Sequence, residues 1–155
     1  MHPNTPLYEQ DFYAWTQEQG ALLRDRKTKA LDYVNLAEEV ESLGKSQQHA
    51  LESRLEKLVL HLLKWHYQPE KRLRGQSWQC TILEQRRRID RLLQQNPSLR
   101  PTLPALIEDS YAYIRKRTSL ETRLPLTTFP DTMAASSDAL AAPLLPAAPS
   151  EYPDT

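Results

Sequence analysis

One helical pattern runs from residue 32 to residue 67, and its last stretch, Leu58-Val59-Leu60-His61-Leu62-Leu63-Lys64-Trp65, is apolar nearly all the way round. A helix that is apolar on every side is buried on every side. This run therefore predicts the centre of a small helical domain with a single histidine set into it. The stripe that leads into it is Leu36, Val40, Leu43, Gln47, Leu51, Leu55, Leu58, Leu62 and Trp65, while Glu38, Glu41, Glu52 and Glu56 fall on the solvated side. Asp32 is placed to cap the start. Gly44 interrupts the pattern, but one glycine costs only about 1 kcal/mol against alanine. The stripe keeps its phase across it, so one continuous helix, bent or straight, is favoured over a hairpin in which Ser46 caps a new helix. Pro69 ends the segment.

Three more helices are expected around this one. Tyr8, Phe12, Trp15, Gln19 and Leu22 recur at helical spacing and predict a first helix over residues 7–24, with the aromatics as core. Ser77 is expected to cap a helix reaching Gln95, buried through Trp78, Ile82, Ile89, Leu92 and Leu93, with Arg86 on the edge of that face. After the turn Asn96-Pro97-Ser98-Leu99-Arg100-Pro101, residues Leu103, Leu106, Ile107, Tyr111 and Ile114 carry a last helix towards Leu120. Leu124 to Pro130 reads as an extended strap, and residues 131–155 read as a flexible Ala/Pro-rich tail without periodicity. Scarce β-branched alternation and only three glycines leave little to build a sheet. The expected fold is all-α: a single helical domain over residues 1–130, with about four main helices built around one long amphipathic helix, and an irregular C-terminal tail.

Hydrophobic content of 39% is enough for a core, so wholesale disorder is not expected. One cysteine, Cys80, excludes an internal disulfide and suits a reducing compartment. The N-terminus lacks a basic region followed by an apolar stretch, and no run of about 18 apolar residues occurs. A cytoplasmic protein is the expectation, with no membrane partner.

Formal net charge is zero but unevenly placed. Residues 1–53 carry −4, residues 54–100 carry +7 and residues 101–155 carry −3. The basic middle could attract phosphates or the acidic surface of a partner, or neutralise the acidic ends within the fold.

The order of short motifs resembles the bacterial family catalogued as domain of unknown function 29. The segments that carry the likeness begin with Leu7-Tyr8-Glu9-Gln10-Asp11-Phe12-Tyr13-Ala14-Trp15, Leu31-Asp32 and Asn35-Leu36-Ala37-Glu38-Glu39-Val40-Glu41-Ser42-Leu43-Gly44. They continue with His61-Leu62-Leu63-Lys64-Trp65, Gln68-Pro69, Ser77-Trp78, Glu84-Gln85-Arg86-Arg87, Asn96-Pro97-Ser98-Leu99 and Phe129-Pro130. The resemblance implies a small all-helical domain and no particular activity. Family members tend to follow the Phe-Pro with Cys-Pro, a short helix and an aromatic-Leu-Pro ending. Here Met133-Ala134 stands in place of Cys-Pro, and Leu144-Leu145-Pro146 stands in place of the ending.

Four kinds of chemistry can be weighed. None of His2, His49, His61 and His66 has a glutamate three residues before it, and there is no His-Glu-x-x-His or paired cysteine, so neither a metal nor another cofactor is expected. Glu38, Glu39, Glu41, His61, Lys64 and Arg86 form the available polar constellation for acid–base work. Glu39 and His61 lie about 33 Å apart along a straight helix, so one helix cannot bring them to one site. His61 is expected to hydrogen-bond across a helix interface, and Lys64 to snorkel from it. A guanidinium beside a core needs a partner, so Arg86 is expected to pair with Glu39 or Glu41, and next with Asp11. Lys71, Arg72, Arg74, Arg87, Arg88 and Arg91 are the candidate nucleic-acid contacts, with Arg54 and Lys57 adding charge and Trp65, Tyr67 and Trp78 supplying rings. The leading expectation is a protein-interaction or regulatory module that binds another protein or a second copy of itself. It needs no constellation that the sequence lacks, whereas nucleic-acid binding is the alternative and an enzyme is the weakest reading.

Overall fold

Asp11 breaks the first expected helix in two. Its backbone is extended, and its side chain accepts a hydrogen bond from Ala14 N at 2.9 Å, which starts a new helix. In the computed structural model, which describes residues 6–74 and 76–133, α1 is Leu7–Gln10 and α2 is Phe12–Arg24. The long pattern forms one helix, α3, Tyr33–Tyr67. Gly44 lies inside it, and a Cβ there would meet nothing within 4 Å, so no close approach demands the glycine. Next come α4, Gln76–Gln95, and α5, Leu103–Thr122, linked by 3-10 turns at Pro69–Arg74 and Pro97–Thr102. Among the described residues there is no strand. Helix α4 starts at Gln76, so Ser77 lies in its first turn and is not its cap.

The chain divides into two compact units, Met1–Ser46 and Gln47–Thr155. In the first, Trp15 is buried, with Tyr8 4.8 Å away edge-on and Phe12 stacked at 5.7 Å. Its indole nitrogen donates to Asp32 at 3.1 Å, and buried Gln19 accepts the Asp32 backbone N–H at 2.8 Å. Asp32 in turn caps α3 as expected, taking the Asn35 backbone N–H at 3.4 Å and the Asn35 side chain at 2.7 Å. The Asn35 hydrogen bond is the main cause that holds the Asp32 carboxyl below its usual range. One aspartate thus fixes both the indole and the helix start.

In this unit the aromatics are less buried than their spacing predicts. Phe12 is 50% exposed and Tyr13 74%. The α3 stripe is also open at its start, with Val40 66% and Leu43 68% exposed. Periodicity shows which face is apolar, not whether anything covers it.

The second unit holds the core. From Leu51 onward the α3 stripe is covered, and Leu58, Val59, Leu60, Leu62 and Leu63 are all buried, as an apolar run requires. Ile82, Ile89, Leu92 and Leu93 of α4 and Ile107, Tyr111 and Ile114 of α5 complete it. Gln85 is buried in the row that joins Ile82 to Ile89. Thr118 and Thr122 are buried too, and each satisfies its hydroxyl by donating to the carbonyl four residues back at 2.7 Å. Arg123 then takes a left-handed conformation, φ 59°, which ends α5.

The strap docks. Phe129 is only 1% exposed and meets the Tyr67 ring edge-on at 5.2 Å. Tyr111 donates its hydroxyl to the Pro130 carbonyl at 2.7 Å, and Arg115 donates to the Phe129 carbonyl at 3.1 Å. Arg115 also pairs with Asp131 at 2.7 Å, and Met133 packs on the core. The first residues of the expected tail, 131–133, are therefore engaged. The rest of it, including Leu140 and Leu144-Leu145-Pro146, lies outside the described residues.

Candidate anion-binding groove

On α4, Glu84, Arg87, Arg88, Arg91 and Gln95 recur at helical spacing and share a side of the helix. On α3, Gln47, Ala50, Arg54 and Lys57 do the same. The two rows face each other across an open cleft. One part of it, about 370 Å³, is lined by Gln47, Arg54, Glu84, Arg87, Arg88, Arg91, Leu92 and Gln95. A second part, about 280 Å³, shares Arg54, Glu84 and Arg88 and adds Ala50, Ser53, Lys57 and Gln85. Ala50 and Ser53 are small, which leaves room between the helices.

The groove is strongly cationic. Five cations, Arg54, Lys57, Arg87, Arg88 and Arg91, face one carboxylate, Glu84. Arg88 is neutralised by Glu84 at 2.5 Å, one helical turn back. Arg54 donates to Gln85 at 3.5 Å, a long bond that leaves most of its donors free. Among the described residues, Arg87, Arg91 and Lys57 make no ion pair. Glutamine amides at Gln47 and Gln95 add neutral hydrogen-bonding groups. Several guanidiniums held by two helices, with a shared opening and few acids, can receive carboxylates or phosphates in bidentate fashion.

The residues of the expected polar constellation are divided between the two units. Glu38, Glu39 and Glu41 belong to the first unit, and His61, Lys64 and Arg86 to the second. Glu39 accepts a hydrogen bond from Tyr8, which raises the Tyr8 hydroxyl to about 12. Glu38 and Glu41 are exposed. His61 does not bond across an interface: its Nδ1–H donates to the Lys57 carbonyl of its own helix at 2.7 Å. Burial, the largest cause, lowers its pKa from the ordinary value. The neutral ring is the form that fits an apolar run. Lys64 is mostly covered and pairs with Glu121 of α5, which Arg117 also contacts at 2.9 Å. Lys64, first, and then Arg117 keep the Glu121 carboxyl below its usual range. One acid satisfying two cations is a bracing arrangement between helices, not an acid–base pair.

Arg86 is half-buried, and its Nε is buried without a hydrogen-bond partner among the described residues. Among the described residues of its own unit, no carboxylate pairs with it. Of the expected partners, Glu39 is engaged by Tyr8 and Asp11 by Ala14.

The candidate nucleic-acid contacts also separate. Arg87, Arg88 and Arg91 line the groove. Arg72 is committed elsewhere, donating to the Trp65 carbonyl at 2.8 Å and lying 5.2 Å from the centre of the Trp65 ring. Lys71 is exposed, and the Arg74 side chain is outside the described residues. Trp65 is stacked under Arg72 and Tyr67 packs on Phe129, so both rings are used in the fold. Among the described residues, no group of three or more His, Cys, Asp or Glu is arranged to hold a metal ion. No helix among them is long and apolar enough to cross a membrane.

Sequence reasoning had the arginines of α4 but not what faces them. Gln47, Glu84, Gln85 and Gln95 were missed, although their helical spacing relative to Arg87, Arg88 and Arg91 was available. Glu121 and Arg117 gave no signal, because their role depends on how α5 is set against α3.

The family profile described as domain of unknown function DUF29 matches residues 7–143. The chain belongs to that family. Neither curated proteins nor solved structures give a match.

Proposed function

We propose that the chain is a protein-interaction module whose docking surface is the α3–α4 arginine groove, and that it receives an acidic segment of a protein partner. The observation that carries this reading is the disposition of charge: five cations around one open cleft, with a single carboxylate among them. Three of the five lack an ion pair among the described residues, so a partner's carboxylates would not have to displace existing bonds. A regulatory role follows if the acidic segment is modified or exchanged. Cys80 is free and exposed, which suits a reducing setting such as the cytoplasm.

Nucleic acid is the second reading, because the same guanidiniums bind phosphates. Among the described residues no aromatic ring lines the groove, which counts against single strands, since these usually stack bases on such rings.

The test is a fluorescence-anisotropy titration with a labelled oligoglutamate peptide and, separately, a labelled single-stranded oligonucleotide. The peptide is expected to bind, more weakly as salt rises. Arg87→Glu with Arg91→Glu should weaken it by about tenfold or more, since like charges then face the ligand. Both residues are exposed, so folding should be retained. Failure of the peptide to bind, or binding indifferent to the reversal, would overturn the reading. Tighter, reversal-sensitive binding of the oligonucleotide would replace it with the second one.

A further inference from the structure

We infer that the acidic segment is supplied by a second copy of this chain: residues 34–43 of one copy dock in the arginine groove of the other, and the exchange is reciprocal. This rests on the groove reading above. Residues 34–43 hold Glu38, Glu39 and Glu41 and no lysine or arginine. Glu38 and Glu41 are exposed, and Val34, four residues before Glu38, is 79% exposed. Val34, Glu38 and Glu41 therefore form one exposed row on α3, an apolar residue followed by two acids.

The groove helix carries the complementary row. Leu83, 55% exposed, is followed on the same side of α4 by Arg87 and Arg91, both exposed. An apolar residue followed by two arginines matches an apolar residue followed by two glutamates. A helix-on-helix contact would bring the acids to the guanidiniums and cover both apolar side chains.

Two further observations favour a second copy over an unrelated protein. The basic middle of the chain and its acidic ends sum to zero net charge, so the complement of the groove is present in the same sequence. The first unit is also poorly supplied with core. Among its described residues Trp15 is the one buried hydrophobic, whereas Leu7, Phe12, Tyr13, Leu23, Tyr33, Val34, Val40 and Leu43 are all exposed. These exposed apolar side chains are available for a second copy to cover. Reciprocal exchange about a two-fold axis makes two identical contacts, which closes a dimer and leaves no open end for a filament.

The test uses the full chain in sedimentation equilibrium. The wild type is expected to be a dimer at low salt that dissociates as salt rises. Glu38→Arg with Glu41→Arg should be monomeric, because a basic row meets a basic groove. Arg87→Glu with Arg91→Glu should be monomeric for the opposite reason. An equimolar mixture of the two variants should recover a dimer, since each contact then joins opposite charges. That recovery requires both variants to be folded, so it separates a lost contact from a lost fold. A wild type that stays monomeric throughout, variants that remain dimers, or a mixture that stays monomeric would each overturn the inference. If the wild type is monomeric but oligoglutamate still binds in a reversal-sensitive way, the groove reading stands and only the second copy is wrong. If the peptide fails too, both fall.

Discussion

Leu58→Ala is expected to lower the unfolding free energy by about 2–5 kcal/mol, the usual range for a leucine truncated in a packed core. Leu58 has no exposed surface and lies among Leu55, Leu62 and the α4 and α5 core residues. A small domain is stable by only about 5–15 kcal/mol, so this one change would remove a large share of it. Urea unfolding followed by circular dichroism measures the effect. A loss below about 0.5 kcal/mol would mean that the apolar run is not the core.

Phe129→Ala should cost as much or more, about 3–5 kcal/mol for a buried aromatic. The phenyl ring is the strap's buried anchor: it fills the site beside Tyr67, while Tyr111 and Arg115 bond the carbonyls of Pro130 and Phe129 and Arg115 also pairs with Asp131. Without it, mostly polar contacts, the carbonyl bonds and the Arg115–Asp131 pair among them, would have to hold the segment against its own conformational entropy. Urea denaturation should show the loss, and limited proteolysis should show faster cleavage near residues 124–131. Unchanged stability would mean that the strap is an ornament on a core already complete.

These two residues were legible in different ways. Leu58 announces itself, because an apolar run with no polar face has nowhere to go but inside. The Asp32 cap followed from a local rule in the same manner, whereas the stripe's phase favoured continuity of α3 through Gly44 over a hairpin without deciding it. Phe129 stands in a segment with no periodicity, and only its place in the family's Phe-Pro motif pointed to it.

What the sequence left closed depends on the mutual setting of helices. Val40 and Leu43 continue the stripe in phase with Leu51 and Leu55, yet they are exposed, because a stripe does not report its cover. Asp11 looked like a residue within a helix, but its side chain caps Ala14 and splits the segment. Lys64 looked like a snorkelling lysine until α5 placed Glu121 beside it. The groove itself needed Arg54 and Lys57 of α3 to face Arg87 and Arg91 of α4, and no spacing within either helix states that.

The most direct measurement of the groove's role is residue by residue. In a 15N-labelled sample, the arginine Nε–H signals can be followed by NMR as oligoglutamate is added. Arg54, Arg87, Arg88 and Arg91 are expected to shift together and saturate together, while Arg72, held against Trp65, stays in place. If those four do not move, or if every exposed arginine moves alike without saturating, the groove is a solvated basic face and not a docking surface.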